Sequence, residues 1–220
     1  MKHPVGEKIG GDFLWERGGC HWQPVQYNQP MEHRRVVTTE IDVPGEKRSC
    51  FTKAYLDVET DRSYRLTVIG IFRPDVGFVQ LVGDGISKER FLEALEGVDI
   101  VVTYNGKNFD FGVLERALGI HMLSRFASLD LMYECWRWGL KGGLKAVEQK
   151  LGIGRSTNGL DGRDAIVLWE RYVNEHDDES LALLARYNKE DVLNLVELEQ
   201  KLEEVARTSG KGNESARAQR

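Results

Sequence analysis

The sequence predicts an α/β protein with a mixed sheet, in which an antiparallel meander comes first, parallel strands follow and helices flank the whole. Three β-rich apolar runs lie at 54–58, 66–72 and 77–82, divided by short turn-like segments. Connections this short join antiparallel strands. Two further strand-like runs, 99–103 and 125–130, are each preceded by a helix-like segment, as parallel strands require.

The helices are indicated by apolar residues three and four positions apart. Ser87 suits the N-cap of a helix over Lys88–Leu95, and Gly119 suits the C-terminal end of a helix over Phe109–Leu118. The second half of the chain is predicted to be mainly helical, over Leu131–Trp138, Leu144–Leu151, Ala165–Asn174 and Ser180–Val205.

The chain of 220 residues is long enough for one well-cored domain with additions. We place that domain at 51–205. Residues 1–50 are expected to form an N-terminal extension that is partly β, with a candidate strand at Arg35–Val43, and 206–220 a polar, disordered tail.

Composition narrows the class of protein. No apolar run approaches the ~20 residues of a membrane helix, and the start of the chain has no secretory pattern, so we expect a cytoplasmic protein without membrane contact. The three cysteines, Cys20, Cys50 and Cys135, lie far apart and are expected to be reduced and structural. The net charge of -5 argues against a protein that coats nucleic acid by bulk electrostatics.

One stretch of the chain is locally basic. Between Arg137 and Arg155 there are five basic residues, and Glu148 is the only acid. This stretch could contact phosphates, or it could be the solvated face of a helix, and the sequence favours neither.

Acidic residues near strand and helix ends suggest a metal site. Asp57 and Glu59 stand two apart in a strand and therefore project from the same face. Tyr187 and Asp191 stand four apart in a helix and also point together, while Asp110 begins another helix. Four carboxylates at one place repel each other unless cations neutralise them, and oxygen ligands favour Mg²⁺ or Mn²⁺.

Taken singly, these acids have simpler explanations. A strand-end pair such as Asp57 and Glu59 is more often solvated, Asp110 could favour a helix dipole, and Tyr187 with Asp191 could be a helix-surface pair. Their joint occurrence, in this order and on these elements, favours the metal site.

The same segments resemble the three motifs of the DEDD 3′-5′ exonucleases, which have a ribonuclease H-like fold. The motifs correspond to Tyr55–Thr60, Val102–Asp110 and Tyr187–Leu195. A tyrosine four residues before the last aspartate is typical of the DEDDy subclass. Over 51–204 the chain further resembles the bacterial YprB-like exonuclease domain, although Asp61 and Arg62 stand where many relatives have Thr-Gly.

The resemblance implies two divalent metal ions, Mg²⁺ or Mn²⁺, and phosphodiester hydrolysis. Asp57, Glu59 and Asp191 are the implied ligands of one ion, with Asp57 bridging to a second that Asp110 supports. Tyr187 is expected to orient the attacking water, because a phenol with a pKa of about 10 is a poor base near neutrality.

Three further residues are candidates for substrate binding. Thr60 follows the first motif, and Asn105 and Asn108 could hold the terminal sugar or phosphate. Either asparagine could instead cap the following helix, and we favour a cap for Asn108. Asp130, at a strand end, is expected to cap a helix rather than join the site.

The expected function is a metal-dependent 3′-5′ exonuclease that acts on single-stranded nucleic acid ends, DNA or RNA. Two alternatives stay open: a catalytically silent nucleic-acid-binding domain, and a structure-selective endonuclease of the same fold. The sequence gives no indication of protein partners.

Overall fold

The computed structural model describes the backbone of 10–16, 19–25 and 51–217 and the side chains of 51–208. Strands β1 (Gly10–Glu16) and β2 (Gly19–Val25) form an antiparallel hairpin within the region assigned to the N-terminal extension. The candidate strand Arg35–Val43 lies outside the described residues.

A five-stranded mixed sheet forms the centre of the domain. Its strands are β3 (Lys53–Thr60), β4 (Leu66–Arg73), β5 (Gly77–Val82), β6 (Ile100–Thr103) and β7 (Ala127–Asp130). The spatial order is β5-β4-β3-β6-β7. The first three strands pair antiparallel, and β6 and β7 add parallel to β3, so the predicted mixed sheet is confirmed.

Helices flank this sheet. They are α1 (Lys88–Ala94), α2 (Asp110–Leu118), α3 (Met122–Arg125), α4 (Leu131–Arg137), α5 (Leu144–Leu151), α6 (Gly162–Glu175) and α7 (Asp178–Arg217). The predicted caps are confirmed: the Ser87 side chain accepts a hydrogen bond from the Arg90 amide, and Gly119 ends α2 with a left-handed φ of 63°. Cys135 is a free, buried thiol, as expected.

The ends of two elements differ from the prediction. The run 125–130 is a strand only from Ala127, because the short helix α3 takes its first residue. Helix α7 continues to Arg217, beyond the end predicted at Val205.

Alternation along β3 sends its side chains to two different cores. Leu56 and Val58 pack with Ile69 on the side of the sheet that contains buried residues of α1 and α2. Tyr55 packs on the opposite side, with buried residues of α4, α5 and α7. Asp57 and Glu59 share the side of Tyr55, because side chains two apart in a strand point the same way. Both acids therefore face α7.

Helix α7 meets the sheet along one stripe of buried residues. Leu184, Tyr187, Asp191, Leu195 and Leu198 follow one another at intervals of three or four, and all are buried. Each buried leucine stabilises the fold by roughly 1.5–3 kcal/mol. The apolar members thus hold Tyr187 and Asp191 against the sheet. Although α7 is long, none of the helices in the described part of the chain is apolar enough to cross a membrane.

Candidate active site

The site lies where strands β3 and β6 part. β6 pairs only with Lys53–Tyr55, whereas β3 continues beside β4 as far as Thr60. Asp57 and Glu59 therefore lie beyond the last pair that β3 shares with β6. A crevice at the carboxyl ends of strands is the usual place for a ligand in an open α/β sheet.

Three acids converge at this point. One carboxylate oxygen from each of Asp57, Glu59 and Asp191 lies within 4.8 Å of the other two. Asp57 is half-buried, and Glu59 and Asp191 are buried. The structure thus brings together three of the four acids predicted from the sequence, on the strand and the helix from which they were expected.

The fourth acid, Asp110, stands at the start of α2 and is 4% exposed. Its Oδ1 accepts a hydrogen bond of 3.1 Å from the backbone amide of Val58, which fixes α2 to the strand that bears the cluster. Burial raises the pKa of Asp110 to about 7. Its charge is also close enough to raise the pKa of Asp57.

The cluster is short of positive charge. Burial is the largest cause that raises the pKa of Asp57, followed by repulsion from Glu59 and Asp191. Burial and the negative charges of Asp191 and Asp110 likewise raise the pKa of Glu59. A crowded set of oxygen donors of this kind fits a hard divalent cation such as Mg²⁺ or Mn²⁺, which would relieve the repulsion.

An ion-pair network formed by Arg155 and Glu148 holds the Asp191 carboxylate in place. Arg155, whose side chain is 6% exposed, pairs with Asp191 and also with Glu148, where the distance from Nη2 to Oε1 is 2.7 Å. The Asn194 amide donates to the same Glu148 oxygen at 3.0 Å. Burial nevertheless raises the pKa of Asp191, against the opposing effect of Arg155. The network restricts the positions that the Asp191 carboxylate can adopt.

A lysine accompanies Tyr187. The Lys145 ammonium donates to the Tyr187 hydroxyl oxygen and to the Leu160 carbonyl oxygen, each at 2.5 Å. Burial raises the pKa of Tyr187, and the charges of Asp191 and Glu59 raise it further. The phenol therefore stays protonated, which suits a hydrogen-bonding role better than that of a general base.

Asn188 holds the first acid of the cluster. Its Nδ2 donates to the Asp57 side-chain Oδ2 at 2.9 Å and to the Asp57 carbonyl oxygen at 3.2 Å. Its own Oδ1 accepts from Gln80 Nε2 at 2.8 Å. Gly70 makes room for this amide, since a Cβ at that position would lie 2.4 Å from Asn188 Oδ1. Asn188 itself is fully buried.

Sequence reasoning missed Lys145, Arg155 and Asn188. The basic stretch was interpreted as phosphate-binding or as a solvated face, but two of its residues, Lys145 and Arg155, turn inward to the site. The single acid of that stretch, Glu148, was a signal that one of its basic residues would be paired. Asn188 was also detectable, as a polar residue on the apolar stripe of α7.

The substrate-binding candidates lie near the acids along the chain: Thr60 ends β3, and Asn105 and Asn108 lie in the loop between β6 and α2. Thr60 is 8% exposed and follows a shift of register between Glu59 and Thr60. Asn105 is half-buried, with a left-handed φ of 64°. Asn108 is exposed, and its Nδ2 donates to Asn105 Oδ1 at 2.8 Å. Substrate contact by these three residues stays a prediction.

The two predictions of helix caps have opposite outcomes. The N-cap of α2 is Phe109, so the cap predicted at Asn108 is wrong. The cause is a turn in which the Asn108 amide donates to the Asn105 carbonyl oxygen, so that the helix begins later. The cap predicted at Asp130 is confirmed, because its side chain accepts from the Met132 amide at the start of α4.

The order of the sheet, with antiparallel strands first and parallel strands after, defines a ribonuclease H-like fold. The family model of the RNase H superfamily matches residues 54–203, and the chain belongs to this superfamily. The more specific resemblance to YprB-like, DEDDy exonucleases stays a prediction.

One solved structure supports the fold independently. The family B DNA polymerase from the hyperthermophilic archaeon Pyrobaculum calidifontis is similar with a TM-score of 0.56 and 16% sequence identity. The similarity covers 89% of this chain and 28% of the polymerase chain. At this identity the match concerns the fold, and it involves under a third of the polymerase's length. A comparison with curated proteins finds no match.

Proposed function

We propose that this protein is a metal-dependent nuclease that removes nucleotides from the 3′ end of single-stranded nucleic acid, DNA or RNA. The observation that carries the proposal is the convergence of Asp57, Glu59 and Asp191 within 4.8 Å. Two further findings support the proposal. The chain belongs to the RNase H superfamily, and it is similar in fold to a DNA polymerase, which acts on nucleic acid. We expect the protein to act in the cytoplasm.

Asp57, Glu59 and Asp191 would hold one divalent ion, Mg²⁺ or Mn²⁺, and Asp57 and Asp110 would hold a second. When bound, such a pair would activate water as a Lewis acid and would stabilise the charges of an in-line displacement at phosphorus. Asn188 orients Asp57 through its hydrogen bond to Oδ2, and Arg155 orients Asp191. The acids are therefore held in position before an ion binds.

Tyr187 and Lys145 complete the site on the side of α5. The protonated hydroxyl of Tyr187 is a hydrogen-bond partner that orients the attacking water. Lys145 holds that hydroxyl and places a positive charge beside the cluster, where it stabilises negative charge that develops on the phosphate.

The test compares wild type with Asp57→Asn on single-stranded DNA and RNA labelled at the 5′ end, with Mg²⁺, Mn²⁺ or EDTA. Wild type should give a metal-dependent ladder that shortens from the 3′ end. Asp57→Asn should be at least about a thousandfold slower, because a lost metal ligand removes several kcal/mol of transition-state stabilisation.

Glu204→Gln provides the matched control, since Glu204 is exposed on α7 about 20 Å along the helix from Asp191. It should cleave at the wild-type rate. Discrete internal cuts would indicate the endonuclease, and binding without cleavage under either metal would indicate the silent binding domain.

A further inference from the structure

Helix α4 carries a pair of exposed aromatic side chains. Tyr133 is 38% and Trp136 47% exposed, and their ring centroids are 5.4 Å apart in an edge-to-face arrangement. The two rings are in contact with each other, and part of each is open to solvent. Because the two exposed rings are in contact, they form one continuous apolar patch, which is a candidate surface for binding a ligand.

Asp130 fixes this pair relative to the acid cluster. Besides capping α4, its carboxylate accepts from the backbone amides of Asn105 at 2.7 Å and Lys107 at 3.3 Å. One buried side chain therefore joins the first turn of α4 to the loop that leads into α2. Because Asp110 begins α2, the position of α4 is set relative to the candidate active site.

Side chains of the same loop reach the aromatic pair directly. Asn108 Nδ2 lies 3.3 Å from the Tyr133 hydroxyl oxygen, and Asn108 is only two residues before Asp110. The Lys107 ammonium stands 6.0 Å from the centroid of the Tyr133 ring. The aromatic surface thus begins next to the site and carries a positive charge.

We propose that Tyr133, Trp136 and Lys107 form a stacking site for single-stranded nucleic acid, which binds the bases next to the nucleotide held at the carboxylates. This inference rests on the proposed function and adds to it a binding site for the neighbouring bases of the strand. Aromatic faces stack any base, and a lysine beside them matches the phosphate charge. Bases inside a duplex are covered on both faces by their neighbours and cannot lie on these rings.

The first test measures equilibrium binding of oligothymidylates of two and twelve nucleotides in Ca²⁺, which separates affinity from turnover. In wild type the longer strand should bind more tightly. In Trp136→Ala the dodecanucleotide should bind about tenfold more weakly, the loss expected for one stacked base, and most of the gain with length should disappear. Trp136→Phe keeps an aromatic face and should restore most of the affinity.

Phe51→Ala is the matched control, because Phe51 is also an exposed aromatic residue and lies about 20 Å from Asp57 along the strand direction. It should bind like wild type. Trp136 also provides a direct signal: bound oligothymidylate should quench wild-type tryptophan fluorescence more strongly than that of Trp136→Phe. Oligouridylate should behave like oligothymidylate, since stacking does not involve the sugar.

Wild-type affinity in Trp136→Ala would overturn the stacking site, as would equal binding of a blunt duplex and a single strand. Absence of oligonucleotide binding by wild type would also overturn it and would leave a protein partner as the occupant of the aromatic surface. Length-dependent binding without hydrolysis in Mg²⁺ or Mn²⁺ would instead reject the proposed nuclease while retaining the stacking site.

Discussion

At the scale of single residues, Asp57 depends on one amide that is not itself a ligand candidate. Asn188 contacts the Asp57 side chain and backbone and is in turn held by Gln80 from β5. The Asp57 carboxylate can therefore take few orientations. A group that orients a metal ligand typically contributes tenfold to a hundredfold to metal affinity.

Asn188→Ala should therefore weaken Mn²⁺ binding by about tenfold to a hundredfold and lower the cleavage rate at limiting Mn²⁺. High Mn²⁺ should restore much of the rate, because all four acids are still present. Calorimetric titration with Mn²⁺ measures the affinity. Unchanged affinity would mean that Asn188 only fills space.

Gly70 gives a test that alters no polar group. In Gly70→Ala the new methyl group would meet Asn188 Oδ1 at 2.4 Å and Val192 Cγ2 at 2.8 Å, so Asn188 must shift. We expect the Mn²⁺ affinity to fall as in Asn188→Ala, with a loss of stability of about 1–3 kcal/mol from overpacking.

Gly112→Ala is the matched control, because its Cβ would meet Arg116 only at an ordinary contact distance of 3.6 Å within α2. That change should leave Mn²⁺ binding intact and raise stability by up to about 1 kcal/mol. If Gly70→Ala and Gly112→Ala bound Mn²⁺ with similar affinity, the role given to Asn188 would be contradicted.

At the scale of elements, Asp130 connects α4 with the loop between β6 and α2 by accepting from three backbone amides. Asp130→Ala should cost more than the roughly 1 kcal/mol of a lost helix cap, because two further half-buried backbone donors lose their partner, each at a cost of up to about 1–3 kcal/mol. Ser87→Ala removes a single exposed cap bond and should cost less. Urea unfolding of both variants measures the difference, and equal costs would contradict the connecting role.

The elements also show what local sequence could predict. The strand period put Asp57 and Glu59 on one face, and the helix period put Tyr187 with Asp191, because each pair depends only on spacing within one element. The sheet order followed from connection lengths. The beginning of α2 was placed one residue early, because a turn at Asn105 outweighs the helical spacing.

The contacts that complete the site could not be predicted from local sequence patterns, because they join residues that are far apart in the chain. Lys145 and Tyr187 are 42 residues apart, and Asn188 and Asp57 are 131 apart. Only the packing of α5 and α7 against the sheet decides which polar residues meet. The sequence could mark Asn188 and Glu148 as unusual, but it could not say what they contact.

At the scale of the whole molecule, the buried acids connect stability with pH. Burial raises the pKa of Asp110 from 3.8 to about 7, and the pKa of Asp57, Glu59 and Asp191 is raised as well. A carboxyl with a raised pKa in the folded state favours folding when protonated. This contribution is complete below the unfolded pKa and is lost as pH rises through the folded value.

We therefore expect the melting temperature in EDTA to fall as pH rises from about 4 to 7 and beyond, over the interval between the two pKa values of Asp110. Mn²⁺ should raise the melting temperature, most strongly at high pH, because it binds the ionised acids.

In EDTA at high pH, Asp57→Asn should have a higher melting temperature than wild type, because it removes one of the repelling charges, although the variant is inactive. Thermal unfolding across pH measures this, and a metal-free protein that becomes more stable over this interval would contradict the electrostatic account of the site.

Glu190 changes the stability of the fold with pH in the opposite direction: it contributes to the loss of stability in acid. Burial opposes ionisation of Glu190, but hydrogen bonds from Ser156 and Thr157 outweigh it and lower its pKa from 4.5 to about 2. Its contribution is therefore present above the unfolded pKa of 4.5 and is lost as pH falls towards 2. Glu190→Gln should be less stable than wild type at neutral pH, and its stability should fall less than that of wild type as the pH is lowered into the acid range. The same thermal unfolding experiment measures both differences.

We have proposed that the carboxylate cluster hydrolyses nucleic acid from a free 3′ end. A decisive experiment gives the protein a linear single strand labelled at its 5′ end and a closed circle of the same sequence, both with Mn²⁺. The linear strand should shorten one nucleotide at a time from its 3′ end while the circle stays intact. Cleavage of the circle, or release of the 5′ label as the first product, would contradict it.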